Sequence, residues 1–417
     1  MMMIGNKAKA CVPVMDSIRA RVLNWREWTG CAHTWEQIHK LCPDASFFLS
    51  RGWVECWLAT YGEDLNPELV EFARGEQVVG FCLLVWRTQW VRGIPLRRVY
   101  LNCSGENEGE STCIDHNSLL ALPDCVELVE GALLKILQSR YWDELILPGM
   151  AGGFNVSPAV RSLGSMETCE SPSYYIDFCQ LRDNSAEFNS VLDSKVRRKI
   201  RRSRRAYDQI GGACTLRMAE TREEAVTMLR TLAGLHQARW TSRGYPGAFG
   251  SPKLVVFHEA LVRRTFDEGS ILLFEVQTGS EIVGVLYCFV DRGWIRFYQS
   301  GYDYNLCPGQ RPGFLTLYMA ISYCLEQPIF KGFDFLAGDA VYKRSLSTGS
   351  WPSKGIVIRR PTVPSLLFRG LRSVKRAYVQ ILKKNRGKNQ SPRGPEHSAD
   401  VSVPDFEASR VESDLAR

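Results

Sequence analysis

The stretch LLFEVQTGSEIVGVLYCFV, residues 272–290, reads as strand, glycine-containing turn, strand. Both arms are near-continuous apolar runs, the composition of strands covered on two faces. The reading recurs earlier in LVEFARGEQVVGFCLLVW, residues 69–86, where Val79-Gly80 aligns with Val283-Gly284. The surroundings recur too. IPLRRVYLNC (94–103) and WIRFYQSGY (294–302) supply a third strand to each half. CVELVEGALLKILQS (125–139) and FLTLYMAISYCLEQ (314–327) read as helices, and WDELILPG (142–149) and FDFLAG (333–338) as returning strands. SYYIDFC (173–179) and GIVIRR (355–360) are expected to close each half. This repeated order indicates an internal duplication. It gives an α/β (α+β) chain of two tandem domains, each a mixed, mostly antiparallel sheet flanked by helices.

The expected boundaries are an N-terminal extension at 1–44, a first domain at 45–180, a basic linker helix at 181–212, a second domain at 213–361, and a basic then disordered tail at 362–417. In the linker SKVRRKIRRSRRAYDQIGG (194–212), eight of the eleven residues from Lys195 to Arg205 are basic. Val196, Ile200 and Tyr207 give it a thin apolar stripe, and Gly211-Gly212 stop it. The Trp-rich run SRGWVECWLATYG (50–62) is expected to cap the first sheet.

The bulk numbers set bounds. With 417 residues, 45% hydrophobic and 23% charged, the chain has the composition of a soluble globular protein. Its net charge of +7 suits an anionic ligand. The 14 cysteines form no C-x-x-C pair and the histidines fall at no zinc spacing, so a reduced, metal-free protein is expected. No run reaches the roughly 20 apolar residues of a membrane span, and MMMIGNKAKACVPVMDS lacks the apolar stretch of a signal peptide. A cytoplasmic protein is expected, with peripheral membrane contact through the basic segments left open.

Four segments carry chemistry. In GFDFLAGDAVYKRSL (332–346) an apolar strand containing Asp334 runs into Asp339, Tyr342 and Lys343. Strand ends of α/β sheets often hold ligands, and Asp334, set among apolar neighbours, is expected to have a raised pKa. The plainer alternative is a surface ion pair between Asp339 and Lys343. In PGQRPGF (308–314), Gln310, Arg311 and Gly313 lead into a helix whose N-terminus suits a phosphate; alternatively Pro312 merely starts that helix. In LHQARW (235–240), His236, Arg239 and Trp240 share a helical face. They read as a base, an anion clamp and a stacking platform, or as core packing. The basic stretch 195–205 reads as a polyanion site or as a solvated face. His33, His39, His116 and His258 read as surface or structural.

Taken in order, LHQARW, the turn TSRGYPGAFG, the hairpin, SGYDYNLCPGQRPGFLTLYMAI and FDFLAGDAVYKRSL resemble the CelD-type acetyltransferases, a branch of the GNAT superfamily. That branch is similar to the Fem-type aminoacyltransferases, which carry two GNAT-like domains. The resemblance covers roughly residues 45–360. It implies transfer of an acyl group from acetyl-CoA or another acyl-CoA to an amine or hydroxyl of a small molecule, glycan or peptide. It places this in polysaccharide, cell-envelope or secondary-metabolite biosynthesis, with no metal. In the Fem-type alternative, aminoacyl-tRNA is the donor and the 195–205 helix grips RNA. The resemblance also implies a thioester seated between two splayed parallel strands in the C-terminal half, with the N-terminal half shaping the acceptor groove. Gln310, Arg311 and Gly313 match the start of the family's Q/R-x-x-G-x-G/A loop. Pro312 and Leu315 depart from it, which motivates a third reading, a non-catalytic GNAT-fold scaffold. Catalytic roles then fall to Lys343 (charge), Tyr342 (proton to the thiolate) and Asp339 or His236 (base through water), and substrate binding to Arg239, Trp240 and Asp334. No G-x-S-x-G motif appears, so direct transfer is expected rather than an acyl-enzyme.

Overall fold

A computed structural model describes residues 17–151 and 156–372. The first half runs β1 (Ile18–Asn24), α1 (Trp28–Leu41), α2 (Arg51–Leu65), β2 (Glu68–Arg74), β3 (Gln77–Val91), β4 (Ile94–Leu101), β5 (Leu120–Ala121), α3 (Val126–Gln138), β6 (Glu144–Ala151), α4 (Pro158–Arg161) and β7 (Ser165–Asp177). Two short helices follow, α5 (Phe178–Asp183) and α6 (Phe188–Val191), and then the basic helix α7 (Ser194–Gly211). The second half runs β8 (Thr215–Met218), α8 (Arg222–Thr241), α9 (Pro252–Thr265), β9 (Ile271–Thr278), β10 (Glu281–Asp291), β11 (Trp294–Tyr302), α10 (Pro312–Glu326), β12 (Gly332–Ala337), α11 (Val341–Leu346) and β13 (Gly349–Arg359).

All strands join one sheet, in the order β1-β2-β3-β4-β6-β13-β7-β12-β11-β10-β9-β8, with β5 beside β3. The order is a near-palindrome. Each half contributes a run of antiparallel strands and one parallel pair, β4 with β6 and β11 with β12. The closing strands depart from expectation. β7 does not close the first half; it pairs with β12 of the second. β13 pairs with β6 of the first half, and β13 and β7 zip together antiparallel from Gly349–Tyr175 to Arg359–Ser165. The halves therefore exchange their last strands. Residues 18–41 also differ from expectation: β1 pairs along β2 and α1 packs on the core, so they are part of the first domain and no separate extension.

Three apolar layers cover the sheet. On one face α1, α2, α8 and α9 share a single core that spans both halves, with Trp53 of α2 against Phe257 of α9 and Phe289 of β10. The Trp-rich run thus packs on the first sheet, as expected, and also joins the halves. On the other face α3 covers the first half, and α7 with α10 covers the second through Val196, Ile200 and Tyr207, the stripe read from sequence. Residues 363–372 are helical. The remainder of the expected tail lies outside the described residues.

Candidate functional site

Each parallel pair holds together over only three residue pairs, 98–100 with 144–146 and 294–296 with 332–334. Beyond that the strands part. In the first half the chain fills the gap itself. Asn117 donates its backbone N–H to Gly149 O (2.7 Å) and accepts from Ala151 N–H (3.2 Å), while its side-chain amide donates to Pro148 O (3.1 Å). Asn102 clamps it from the other side, Nδ2 to Asn117 Oδ1 at 2.6 Å. Gly149 is required here: its φ is +56°, and a Cβ would sit 2.2 Å from Ile114 O.

The inserted loop also carries one acid, Asp115, and one base, His116, across to the second half. At the fork of β11 and β12 stands Asp334, fully buried and directly opposite Arg296. Arg296 donates to Asp334 Oδ2, as does His116 Nε2 at 2.8 Å. Ser173 of β7 and the backbone N–H of Leu336 donate to Oδ1, each at 2.8 Å. Asp115 accepts from Ala337 N–H at 2.7 Å and from Ser353 of β13 at 2.9 Å. Trp294 and Trp351 flank the Arg296 guanidinium at 5.8 and 5.9 Å, and Trp351 stacks on Tyr175 at 4.2 Å. Four strands and one loop thus meet around one carboxylate.

Charge settles the protonation there. Burial alone would raise the Asp334 pKa, but Arg296, His116 and Ser173 outweigh it and hold the carboxyl far below its ordinary value. The raised pKa expected from its apolar neighbours is therefore corrected: strand sequence does not show the cation across the ladder. Burial works against a charged His116, yet the Asp334 hydrogen bond and the Asp115 and Asp334 charges prevail and raise its pKa above 6.5. The backbone is strained at the same place. Asn102, Cys113, His116 and Leu336 are four of the eight described non-glycine residues with positive φ. Such strain tends to gather at functional sites.

The residues singled out from sequence scatter around this point. Asp339 is exposed and pairs with Arg344 and Tyr174. Lys343 is buried and donates to the carbonyls of Leu336 (3.1 Å) and Ala337 (2.6 Å), fixing the bend at the end of β12. Tyr342 is buried edge-on against Phe335. Arg239 stacks over Tyr304 at 4.1 Å, and Trp240 packs against Tyr245. Gln310 and Arg311 precede α10, and Gly313 lies in its first turn against the Tyr302 ring. Arg311 N–H donates to Ser203 of α7 at 3.0 Å, and Lys199 of α7 lies 5.6 Å over the Phe314 ring. The basic helix therefore borders the uncapped start of α10, and all its cations but the half-buried Arg197 are exposed.

His236 is buried with both ring nitrogens engaged. Nδ1 donates to Ser300 O (3.2 Å) and Nε2 accepts from Ala248 N–H (3.4 Å). Its pKa is pushed down to about 4 by burial. The sign follows: below about pH 6.5 the unfolded chain takes up a proton that the folded ring refuses, so stability falls as pH falls. His236→Gln is expected to remove about 2 kcal/mol of the stability loss between pH 7 and pH 5, measured by urea denaturation. His116 and His258, read as surface or structural, are both buried or nearly so. His258 sits among Phe249, Phe257, Tyr287 and Tyr298, and its pKa is pushed down to about 3 by burial.

The sequence reading missed His116 and Arg296. One signal was available. Arg98-Val99-Tyr100 and Arg296-Phe297-Tyr298 occupy the same strand of the two halves, each Arg facing a carboxylate, Glu144 or Asp334.

A mixed sheet that opens along its parallel pair, twice in one chain, is a tandem GNAT-like arrangement. Residues 194–344 match the family described as the acetyltransferase (GNAT) domain. No curated protein matches the sequence. Among solved structures, FemX superposes with a TM-score of 0.51 at 10% identity, covering 78% of this chain and 95% of that chain. L-PGS from Bacillus licheniformis gives 0.42 at 12% identity, covering 70% and 84%. A tandem GNAT protein from the clavulanic acid biosynthesis pathway gives 0.41 at 10%, covering 83% and 100%.

Proposed function

We propose that the protein transfers an acyl group directly from acyl-coenzyme A to an amine or hydroxyl, with the donor in the C-terminal half. The observation that carries this is the filled first gap. Asn117 bridges the fork of β4 and β6, whereas among the described residues no such backbone bridge spans the fork of β11 and β12, where the thioester would sit. The pyrophosphate would lie at the N-terminus of α10, where Gly313 and Phe314 lack intrahelical acceptors and Lys199 stands alongside. His116 would take the acceptor's proton at Nδ1, which bonds no described residue, while Asp334 holds the ring through Nε2. Asp115 and the Trp294–Trp351 pair would line the approach of the acceptor, a small molecule, glycan or peptide.

Calorimetry with acetyl-CoA tests the donor. Saturable binding is expected, weakened about fivefold in Lys199→Ala. No heat at millimolar acetyl-CoA would overturn the reading. It would favour aminoacyl-tRNA instead, a second reading supported by the exposed cations of α7 and the fold shared with FemX.

A further inference from the structure

The helix at residues 363–372 has an anchored side and a bare side. Thr362 starts it, its hydroxyl accepting from Ser365 N–H at 3.4 Å. Phe368 is buried against Ile94 and Leu96 of β4, and Arg372 pairs with Glu167 of β7 at 2.9 Å. Arg369 donates to Ser165 at 3.3 Å. These contacts fix which face points away. On that face Val363 is 70% exposed, Leu366 51%, Leu367 58% and Leu371 47%. They lie three and four residues apart, one stripe of a helix. The β3–β4 hairpin that seats Phe368 also presents Trp90, 73% exposed. Bare leucines grouped this way mark a surface that something covers.

Charge selects the occupant. From residue 361 to 395 the sequence has nine Lys and Arg and no Asp or Glu. A second copy packed on this face by two-fold symmetry would set the basic segment near its own image. An anionic lipid surface instead gains from every cation and accepts the leucines into its headgroup boundary. In sequence the apolar spacing continues with Val374, Tyr378 and Ile381 among the same cations. No helix among the described residues is long and apolar enough to cross a membrane, so contact of this kind would be peripheral.

We propose that the face formed by Val363, Leu366, Leu367 and Leu371 seats the protein on an anionic phospholipid bilayer. The surface lies apart from the fork of β11 and β12 in sequence and in its contacts, and it holds whether or not the donor is coenzyme A. Flotation of the full-length chain tests it, with vesicles of phosphatidylcholine alone and of an equimolar mixture with phosphatidylglycerol. Binding is expected on the mixture only and is expected to fall as salt rises. Leu367→Glu/Leu371→Glu should cut the bound fraction at least about tenfold, and Lys375→Glu about fivefold. Val363→Ser/Leu366→Ser provides a milder pair should the first not fold, and thermal melts followed by circular dichroism check each variant. Absence of flotation, equal binding to neutral vesicles, or wild-type binding by the folded variants would overturn the proposal. So would a dimer that these substitutions dissolve without changing vesicle binding.

Discussion

Asp334→Asn is expected to lower the unfolding free energy by about 3–5 kcal/mol, the cost of leaving one member of a buried ion pair without its partner. The carboxylate is fully buried and accepts from Arg296, His116, Ser173 and the Leu336 backbone. An amide keeps one accepting oxygen and turns its NH2 toward donors. Arg296 then remains half-buried between Trp294 and Trp351 without the opposite charge. The pH dependence has a definite sign. Because the folded pKa is depressed, the stabilisation is present above the unfolded carboxyl value, about 3.9, and is lost only as pH falls through the lower folded value. The difference between wild type and variant should therefore stay constant across neutral pH in urea denaturation. A difference below about 1 kcal/mol would mean that the network does not hold the halves together.

His116→Gln is expected to cut kcat by about 10²–10⁴-fold while KM changes little, the range for loss of a positioned base. Glutamine can keep a donor toward Asp334 but cannot take a proton. Since the ring's pKa is raised above 6.5, the wild-type rate should climb with pH through a value above that, and the variant should lack this limb. Asp334 acts here as a positioning residue. In Asp334→Asn the limb should move to lower pH, a change that lost stability alone would not produce. Stability carries the opposite sign: what His116 contributes as a cation is present below about pH 6.5 and is lost as pH rises through its folded value. Wild-type turnover in His116→Gln would exclude it as the base.

Much of the architecture was readable from residue order. The hairpins 69–86 and 272–290 became β2–β3 and β9–β10, and the helical stretches 125–139 and 314–327 became α3 and α10. Those elements are set by local periodicity and turn chemistry, which the sequence carries within short windows. The chemistry at 332–346 was half legible. Asp334 stood out as an acid in an apolar strand, and it is the residue on which the site converges. Its partner could not be read. His116 lies 218 positions away in a loop with no regular pattern.

The sequence by itself determined the duplicated sheet-and-helix order, the basic helix between the halves and the strand that carries Asp334. Only the tertiary structure decided that β7 and β13 change places, that the first fork is filled by its own loop, and that this loop delivers His116 to the second. Periodicity encodes which faces of an element are buried, but not which other element buries them. A charge placed across a ladder or brought by a distant loop leaves no periodic trace, and at Asp334 those contacts reverse the direction of the pKa shift that its own strand suggests.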